Sequence, residues 1–458
     1  MPSLFAAKAL LPEGWARDVR VGYDDGRIVA VEVEALPAAG DRRLDGRVLL
    51  PAPANLHSHA FQRAMAGMTE RRGDGPSGDS FWTWRELMYR FLERLSPDDV
   101  EAIAAFVQME LLEAGYAAVA EFHYLHHAPG GVAYAEPAEL AHRIAAAAAA
   151  TGIGLTLLPV LYTQGGCDGR PLEGGQRRFG SDLDGFARLV DGAERGLRAL
   201  PTDARLGIAP HSLRAVAPDD VTALTALRPG VPFHLHAAEQ LREVAEVQAH
   251  LGTRPVDWLL ERQPVDASWC VIHATHLTPG ETARLAASGA VAGLCPLTEA
   301  NLGDGVFPAK AYLAADGRIG LGSDSHIRIA LAEEVRTLEG NQRLLHGRRN
   351  VLARPPHSTG RTLFEAVCQD GAQALGRASG RIEVGCLADL LTLDAAHPHL
   401  AGLEGDALLD AWLLAGDDRL VREVWSAGRS MVEAGRHRDR ARIEADYLRC
   451  VRGLRGAL

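Results

Sequence analysis

Cysteine is scarce and scattered. Cys167, Cys270, Cys295, Cys368, Cys386 and Cys450 form no C-x-x-C pair and no dense framework in a chain of 458 residues. That excludes a disulfide-stapled secreted scaffold and leads us to expect reduced thiols in a cytoplasmic protein. An excess of positive charge is also missing: 48 Lys+Arg stand against 59 Asp+Glu, a formal charge of -11. Such a balance gives no electrostatic groove for nucleic acid or an anionic membrane surface, so an anionic ligand must find local positive charge. No basic segment precedes a long apolar run between Met1 and Leu11, and no window reaches the roughly 18 apolar residues of a spanning helix. We therefore expect neither a targeting segment nor a membrane partner. Repeats of the solenoid type are absent as well, and the one low-complexity tract, Ala145 to Ala150, is helix-forming and carries no chemistry.

What is present is alternation. Up to about residue 52, short apolar runs are broken by turn residues, as in Val19 to Tyr23, Asp24-Asp25-Gly26 and Arg27 to Val31. This is hairpin chemistry. The pattern returns at Ala388 to Leu393 and Glu423 to Arg429, so the two ends are expected to meet in one small β-sandwich domain made of 1–52 and 381–435. Between them, apolar runs centred on Leu49-Leu50, Val119, Leu158, Ile208, Phe233 to Leu235, Val271-Ile272, Val291 to Leu294 and Ile319 to Leu321 alternate with helical segments, which places a barrel over 53–380. An α/β fold follows, a (β/α)8 barrel with an outer ring of helices. The charged, glycine-rich stretch Arg71 to Asp79, ahead of Phe81-Trp82-Thr83-Trp84-Arg85, reads as an insertion over one barrel face, and Gln164 to Gly180 as a mobile flap. Ile443, Tyr447, Val451 and Leu454 share one helical face, which predicts a C-terminal helix over 436–458 packed on the body.

The chemistry-bearing residues cluster at the ends of the runs. Asn55-Leu56-His57-Ser58-His59 places two imidazoles two residues apart, on one side of a strand. The fifth run ends in His234-Leu235-His236-Ala237-Ala238-Glu239, the sixth in His273, and the eighth in Gly322-Ser323-Asp324. A single histidine at a strand end is more often a hydrogen-bonded core residue than a ligand, and an Asp after Gly-Ser often caps a helix. Ligand-type and proton-carrying residues at the ends of four strands, on the face where barrel active sites collect, are not what core packing requires.

This H-x-H, H-x-x-E, H and S-D pattern resembles the amidohydrolase superfamily, particularly its mononuclear deaminase branch. The resemblance implies one divalent ion, taken as zinc, held by His57, His59, His236 and Asp324, with Glu239, His273 and Asp324 handling protons. The fourth run, Leu206 to His211, offers no bridging lysine for a second ion. Asn55 to Gly67, Asp79 to Tyr89, Ala120 to His127, His211 to Val216, His236 to Gln240 and Thr298 to Gly305 are further similar to the formiminoglutamate deiminases of bacterial histidine degradation. By that resemblance Gln62, Arg85, Tyr124, His211 and Arg214 hold the substrate, N-formimino-L-glutamate, which is hydrolysed to N-formyl-L-glutamate and ammonia. The two planar arginine forks suit a small dicarboxylate. A zinc-dependent aminohydrolase of an aromatic base, guanine- or triazine-like, is the alternative. Barrel enzymes of this kind are often symmetric, and a homodimer is expected. His126, His127, His234, His276 and His326 are read as structural or supporting.

Overall fold

The computed structural model describes residues 2–71 and 79–456, so most of the expected insertion from Arg71 to Asp79, residues 72–78, lies outside the described residues. The barrel strands are Ala54–Ser58, Ala118–His123, Gly154–Leu161, a split fourth strand of Arg205–Leu206 and Ala209–Pro210, then Phe233–Ala237, Trp269–His273, Val291–Leu294 and Arg318–Leu321. They pair in parallel in that order, and the isolated bridges Ile208↔Phe233 and Ser58↔Asp324 join the two arcs into a closed ring. Most of these strands are buried along their whole length, because barrel interior and helix ring cover both faces.

The surrounding helices follow from spacing and caps. Leu183–Leu197 buries Phe186, Leu189, Val190, Ala193 and Leu197, a three-to-four-residue stripe turned to the barrel. Pro97–Glu113 starts at Ser96, whose hydroxyl accepts from the Asp99 amide while the Asp99 carboxylate accepts from the Ser96 amide. Arg440–Arg455 buries Ile443, Tyr447, Val451 and Leu454, with the Tyr447 ring stacked on Phe106 at 3.9 Å. Among the described residues no helix is long and apolar enough to cross a membrane.

Both ends of the chain contribute to one nine-stranded sheet. Arg47–Pro51 runs antiparallel to Leu390–Asp394 and so stitches the N-terminal hairpins to the C-terminal ones. Leu4, Val19, Val21, Ile28, Leu390 and Trp425 pack into a core of their own, apart from the barrel's. One expectation is corrected here: Leu49-Leu50 lies in this sheet, and the barrel opens at Ala54. The ladder runs on through Ala52 N, which donates to Asp389 O at 2.9 Å, and stops at Pro53, which has no amide hydrogen to continue it.

Barrel and sheet are pinned by a buried charge cluster. Arg377, fully buried, donates to Asp203 Oδ2 at 3.2 Å and to Asp389 Oδ2 at 3.0 Å, and Arg429 reaches the same Asp203 at 2.8 Å. Arg377→Met removes one partner and leaves two carboxylates in low dielectric, so we expect a loss of about 3–5 kcal/mol in denaturant unfolding. An unfolding free energy within 1 kcal/mol of the parent would contradict that reading (a shift that small is typical of an exposed pair).

Candidate active site

The site sits at the C-terminal ends of the barrel strands. His57 belongs to the first strand and His59 lies just past it; their Nε2 atoms are 3.1 Å apart. His236, in the fifth strand, brings its Nε2 to 3.1 Å from that of His57. Asp324, after the eighth strand, places Oδ1 at 3.5 Å from His57 Nε2 and 3.4 Å from His59 Nε2. Backbone pairing sets this spacing, because His59 N donates to Asp324 O and Asp324 N to His57 O, each at 3.0 Å. Gly322 permits the approach: a Cβ there would stand 2.6 Å from His57 Cβ.

The donor set fits a metal ion. His59 Nδ1 faces Phe122 O and His236 Nδ1 faces His211 O, both at 3.0 Å, so in each ring Nδ1 carries the hydrogen and Nε2 a bare lone pair. Burial, with mutual repulsion among the rings, holds His57 and His236 well below the usual histidine range; burial also lowers His59 despite Asp324. Neutral nitrogens whose lone pairs face one another repel unless a cation lies between them. Four ligands about 2.0–2.2 Å from one centre stand roughly 3.3–3.6 Å apart, close to the spacing seen. Asp324 also lies near His273 and Cys295, but burial and neighbouring carboxylates push the Cys295 thiol far up, so it stays a neutral, poor ligand.

Beside this cluster, His273 Nδ1 bonds Glu299 Oε1 at 3.2 Å, and its Nε2 faces Glu239 Oε1 at 3.8 Å and Asp324 Oδ2 at 3.9 Å. Burial works against charging His273, yet Glu239, Glu299 and Asp324 together raise it to about 10. Glu239 is itself raised by burial, against the pull of His273 and Arg214. Several strand ends here bend through left-handed backbone: Ala238 at φ 54°, His273 at 67°, Ala274 at 48° and Asp324 at 48°. Such conformations cost on the order of 1–3 kcal/mol each and gather where a scaffold must aim side chains abruptly.

A cavity open at its mouth lies over the cluster. Gln62, Arg85, Tyr124, His211 and Arg214 all line it, together with His59, His236, Glu239, His273 and Asp324. Gln62 Nε2 donates to Tyr124 Oη at 2.9 Å. Burial and the Arg214 charge hold His211 well below the usual range, so it is neutral. Arg214, 8% exposed, donates to Glu239 Oε2 at 3.2 Å, and its Nε has no partner among the described residues. Arg85 enters because the helix Phe81–Leu92, capped by Ser80, crosses the mouth; its guanidinium bonds Tyr89 Oη and lies over the Trp82 ring. Arg178, buried in the expected flap, ties that helix down through Leu92 O and Leu95 O.

Sequence reasoning left out Tyr89, Tyr162, Phe179 and Arg242, all of which line the cavity. It also left out Glu299, although the segment Thr298 to Gly305 was marked by resemblance. The remaining histidines stand apart from the donor set: His126, His127, His234 and His276 each bond a backbone carbonyl, of Val160, Gly180, Ala374 and Asp304, and His326 bonds Ser58 Oγ.

A closed parallel barrel carrying a histidine and aspartate cluster at its strand ends is the architecture of a metal-dependent hydrolase. The chain belongs to the amidohydrolase family, whose model matches residues 48–431. Residues 1–45 match the model described as formimidoylglutamate deiminase HutF, N-terminal domain. The chain is 53% identical to a formimidoylglutamate deiminase of Pseudomonas aeruginosa, over 95% of this chain and 96% of that one. The crystal structure of an amidohydrolase from Brucella melitensis superposes with a TM-score of 0.94 at 46% identity, covering 99% of this chain and 100% of that one. More distantly, a 5-methylthioadenosine/S-adenosylhomocysteine deaminase of Natronomonas pharaonis is 28% identical over 93% of this chain and 91% of its own.

If the donor set holds an ion, His59→Ala should keep its far-ultraviolet circular dichroism spectrum and lose stoichiometric metal by elemental analysis. Full metal content in that variant would remove His59 from the ligand set.

Proposed function

We propose that this chain hydrolyses N-formimino-L-glutamate to N-formyl-L-glutamate and ammonia. The observation that carries the reading is the pair of guanidinium groups, Arg85 and the buried, incompletely paired Arg214, in the same cavity as the proton-handling Glu239, His273 and Asp324. Identity to the deiminase of Pseudomonas aeruginosa supports it, at nearly twice the level shared with the nucleoside deaminase, and so does the match of the N-terminal segment. The aromatic-base alternative is not favoured.

In this reading His57, His59, His236 and Asp324 hold one divalent ion, taken as zinc, which imidazole and carboxylate donors accept as they do other divalent ions. Bound there, the ion supplies Lewis acidity, which lowers the pKa of a water ligand to about 7. Arg214 and Arg85 fix the two carboxylates, while Gln62, Tyr124 and His211 surround the formimino group. Asp324 accepts a proton of the attacking water at a carboxylate oxygen. His273, oriented by Glu299, presents Nε2 to the centre where the carbon turns tetrahedral. The amidine carbon gains a C–O bond and loses its terminal C–N bond. Glu239 protonates that nitrogen, and burial keeps its carboxyl able to carry the proton needed. Ammonia leaves as the hydroxyl on the tetrahedral carbon gives its proton to the Glu239 carboxylate, and the formamide remains.

The same proposal takes 1–52 with 381–435 as the small domain, 53–380 as the catalytic barrel and 436–458 as the packed C-terminal segment. It also sets the enzyme in the cytoplasm, as a homodimer, within histidine degradation.

Purified, metal-replete protein should release ammonia and N-formyl-L-glutamate in equal amounts from N-formimino-L-glutamate; no turnover of that compound would sink the substrate assignment. Glu239→Gln should retain its metal and lose 10²–10⁴-fold in kcat, as expected when a proton donor is removed. Arg214→Met should lower kcat/KM by roughly two orders of magnitude, since a carboxylate then sits desolvated without its partner. An unchanged kcat/KM in that variant would instead favour a ring-binding pocket.

A further inference from the structure

The mechanism leaves several buried carboxyls unused, Glu121, Glu334 and Glu339 among them. Glu121, in the second barrel strand and 3% exposed, does not line the cavity. It reaches sideways to the first strand's end, where Oε2 accepts from Ser58 Oγ and Oε1 accepts from Ala60 N at 2.9 Å. Ser58 and Ala60 flank His59. The next residue on the same strand, Phe122, offers its carbonyl to His59 Nδ1 at 3.0 Å. Two consecutive residues of one strand therefore grip His59 at three points: its ring, the side chain before it and the amide after it. From the other side, His326 Nε2 lies 2.8 Å from Ser58 Oγ, so the hydroxyl that donates to Glu121 accepts from His326.

His59 needs such a grip. It lies just past the first strand's end, with φ −119° and ψ 77°, and the short helix Ala60–Met65 begins at once. At Ser58 the first strand has slipped register against the second, with a shift between Asn55 and Ser58. The eighth strand's end holds this backbone through Asp324, but on the side of the second strand regular ladder bonds do not continue past Ser58, and the Glu121 carboxylate takes their place.

We propose that Glu121 is a positioning residue: by bridging Ser58 Oγ and Ala60 N it fixes the backbone on both sides of His59 and so sets the affinity of the site for its ion. This rests on the metal reading given above. Groups that bond a metal-ligating side chain directly commonly carry 10–100-fold in metal affinity, and Glu121 acts on the backbone to either side of such a side chain.

The test is zinc affinity, read by competition with a chromophoric chelator on the full-length protein, beside thermal unfolding of each apo protein. Glu121→Gln keeps one acceptor oxygen but cannot accept from both donors, and should weaken zinc binding by roughly 10–100-fold. Ser58→Ala should weaken it in the same direction, and the double variant should lose less than the product of the two single losses, because both act through one bond. Glu339→Gln serves as the comparison. Glu339 is equally buried, and it accepts from the backbone amides of Val351 and Leu352, away from the cavity. Its substitution should lower the apo unfolding temperature and leave zinc affinity within twofold. Zinc binding within twofold of wild type in Glu121→Gln overturns the proposal, as does an equal loss of affinity in Glu339→Gln. A wild-type protein that binds no zinc would overturn the metal reading itself, and this inference with it.

Discussion

Mutual repulsion of uncharged nitrogens is the constraint on which the rest of this structure depends. Three imidazoles converge their Nε2 atoms, that of His57 standing 3.1 Å from those of His59 and His236, in a pocket whose burial holds all three below the usual histidine range. Without a cation such an arrangement is unfavourable. It persists because the rings are held in place, His59 and His236 by carbonyl oxygens on Nδ1 and His57 by close packing against Gly322 and the Phe122 ring. The polypeptide thus sets the geometry in advance, and a divalent ion gains from it by meeting donors already desolvated and oriented.

Holding that geometry requires abrupt changes of direction at the strand ends. Ala238, His273, Ala274 and Asp324 adopt left-handed backbone, which few side chains tolerate without support. The support comes from barrel closure. Where the eighth strand returns to the first, Ser58 bridges Asp324, and the side chains of Asn55 and Ser323 meet at 2.6 Å. The ring therefore serves the site as much as the core: cut between strands one and eight, the cluster would lose the contact that sets Asp324 against His57 and His59.

Chemistry and selectivity are divided between kinds of structure. The histidine and aspartate donor set and the groups proposed to handle protons stand at the ends of barrel strands. Part of the surface suited to recognising a substrate, with Arg85, comes from the helix Phe81–Leu92, which with the loop 164–180 covers the mouth and is tied to it by Arg178. Gln62, Tyr124, His211 and Arg214 stand on segments that follow the strands. Such a division lets one barrel serve many substrates, because the cover can change while the strands keep their register. The aromatic lining from Phe81, Trp82, Tyr89, Tyr162 and Phe179 lowers the dielectric around Arg214 and Arg85, which strengthens any charge pairing made there.

His57 and His59 were legible from the amino-acid order alone, since a strand's two-residue period puts both on one face, and His236 with Glu239 followed from their place after an apolar run. The barrel itself was legible in the spacing of those runs, apart from Leu49-Leu50, where an apolar pair followed by two prolines reads equally well as a strand of either sheet. Whether Arg85 reaches the cavity was decided only by tertiary structure, because a helix must fold across the mouth to carry it there. Glu299 and Glu121 were likewise invisible as partners of His273 and Ser58: nothing in a lone glutamate says which distant strand it will face. Local order determines which residues can share a face. Closure of the chain in three dimensions determines which faces meet, because a hydrogen bond or a shared ion depends on distances of a few ångströms that sequence separation does not set.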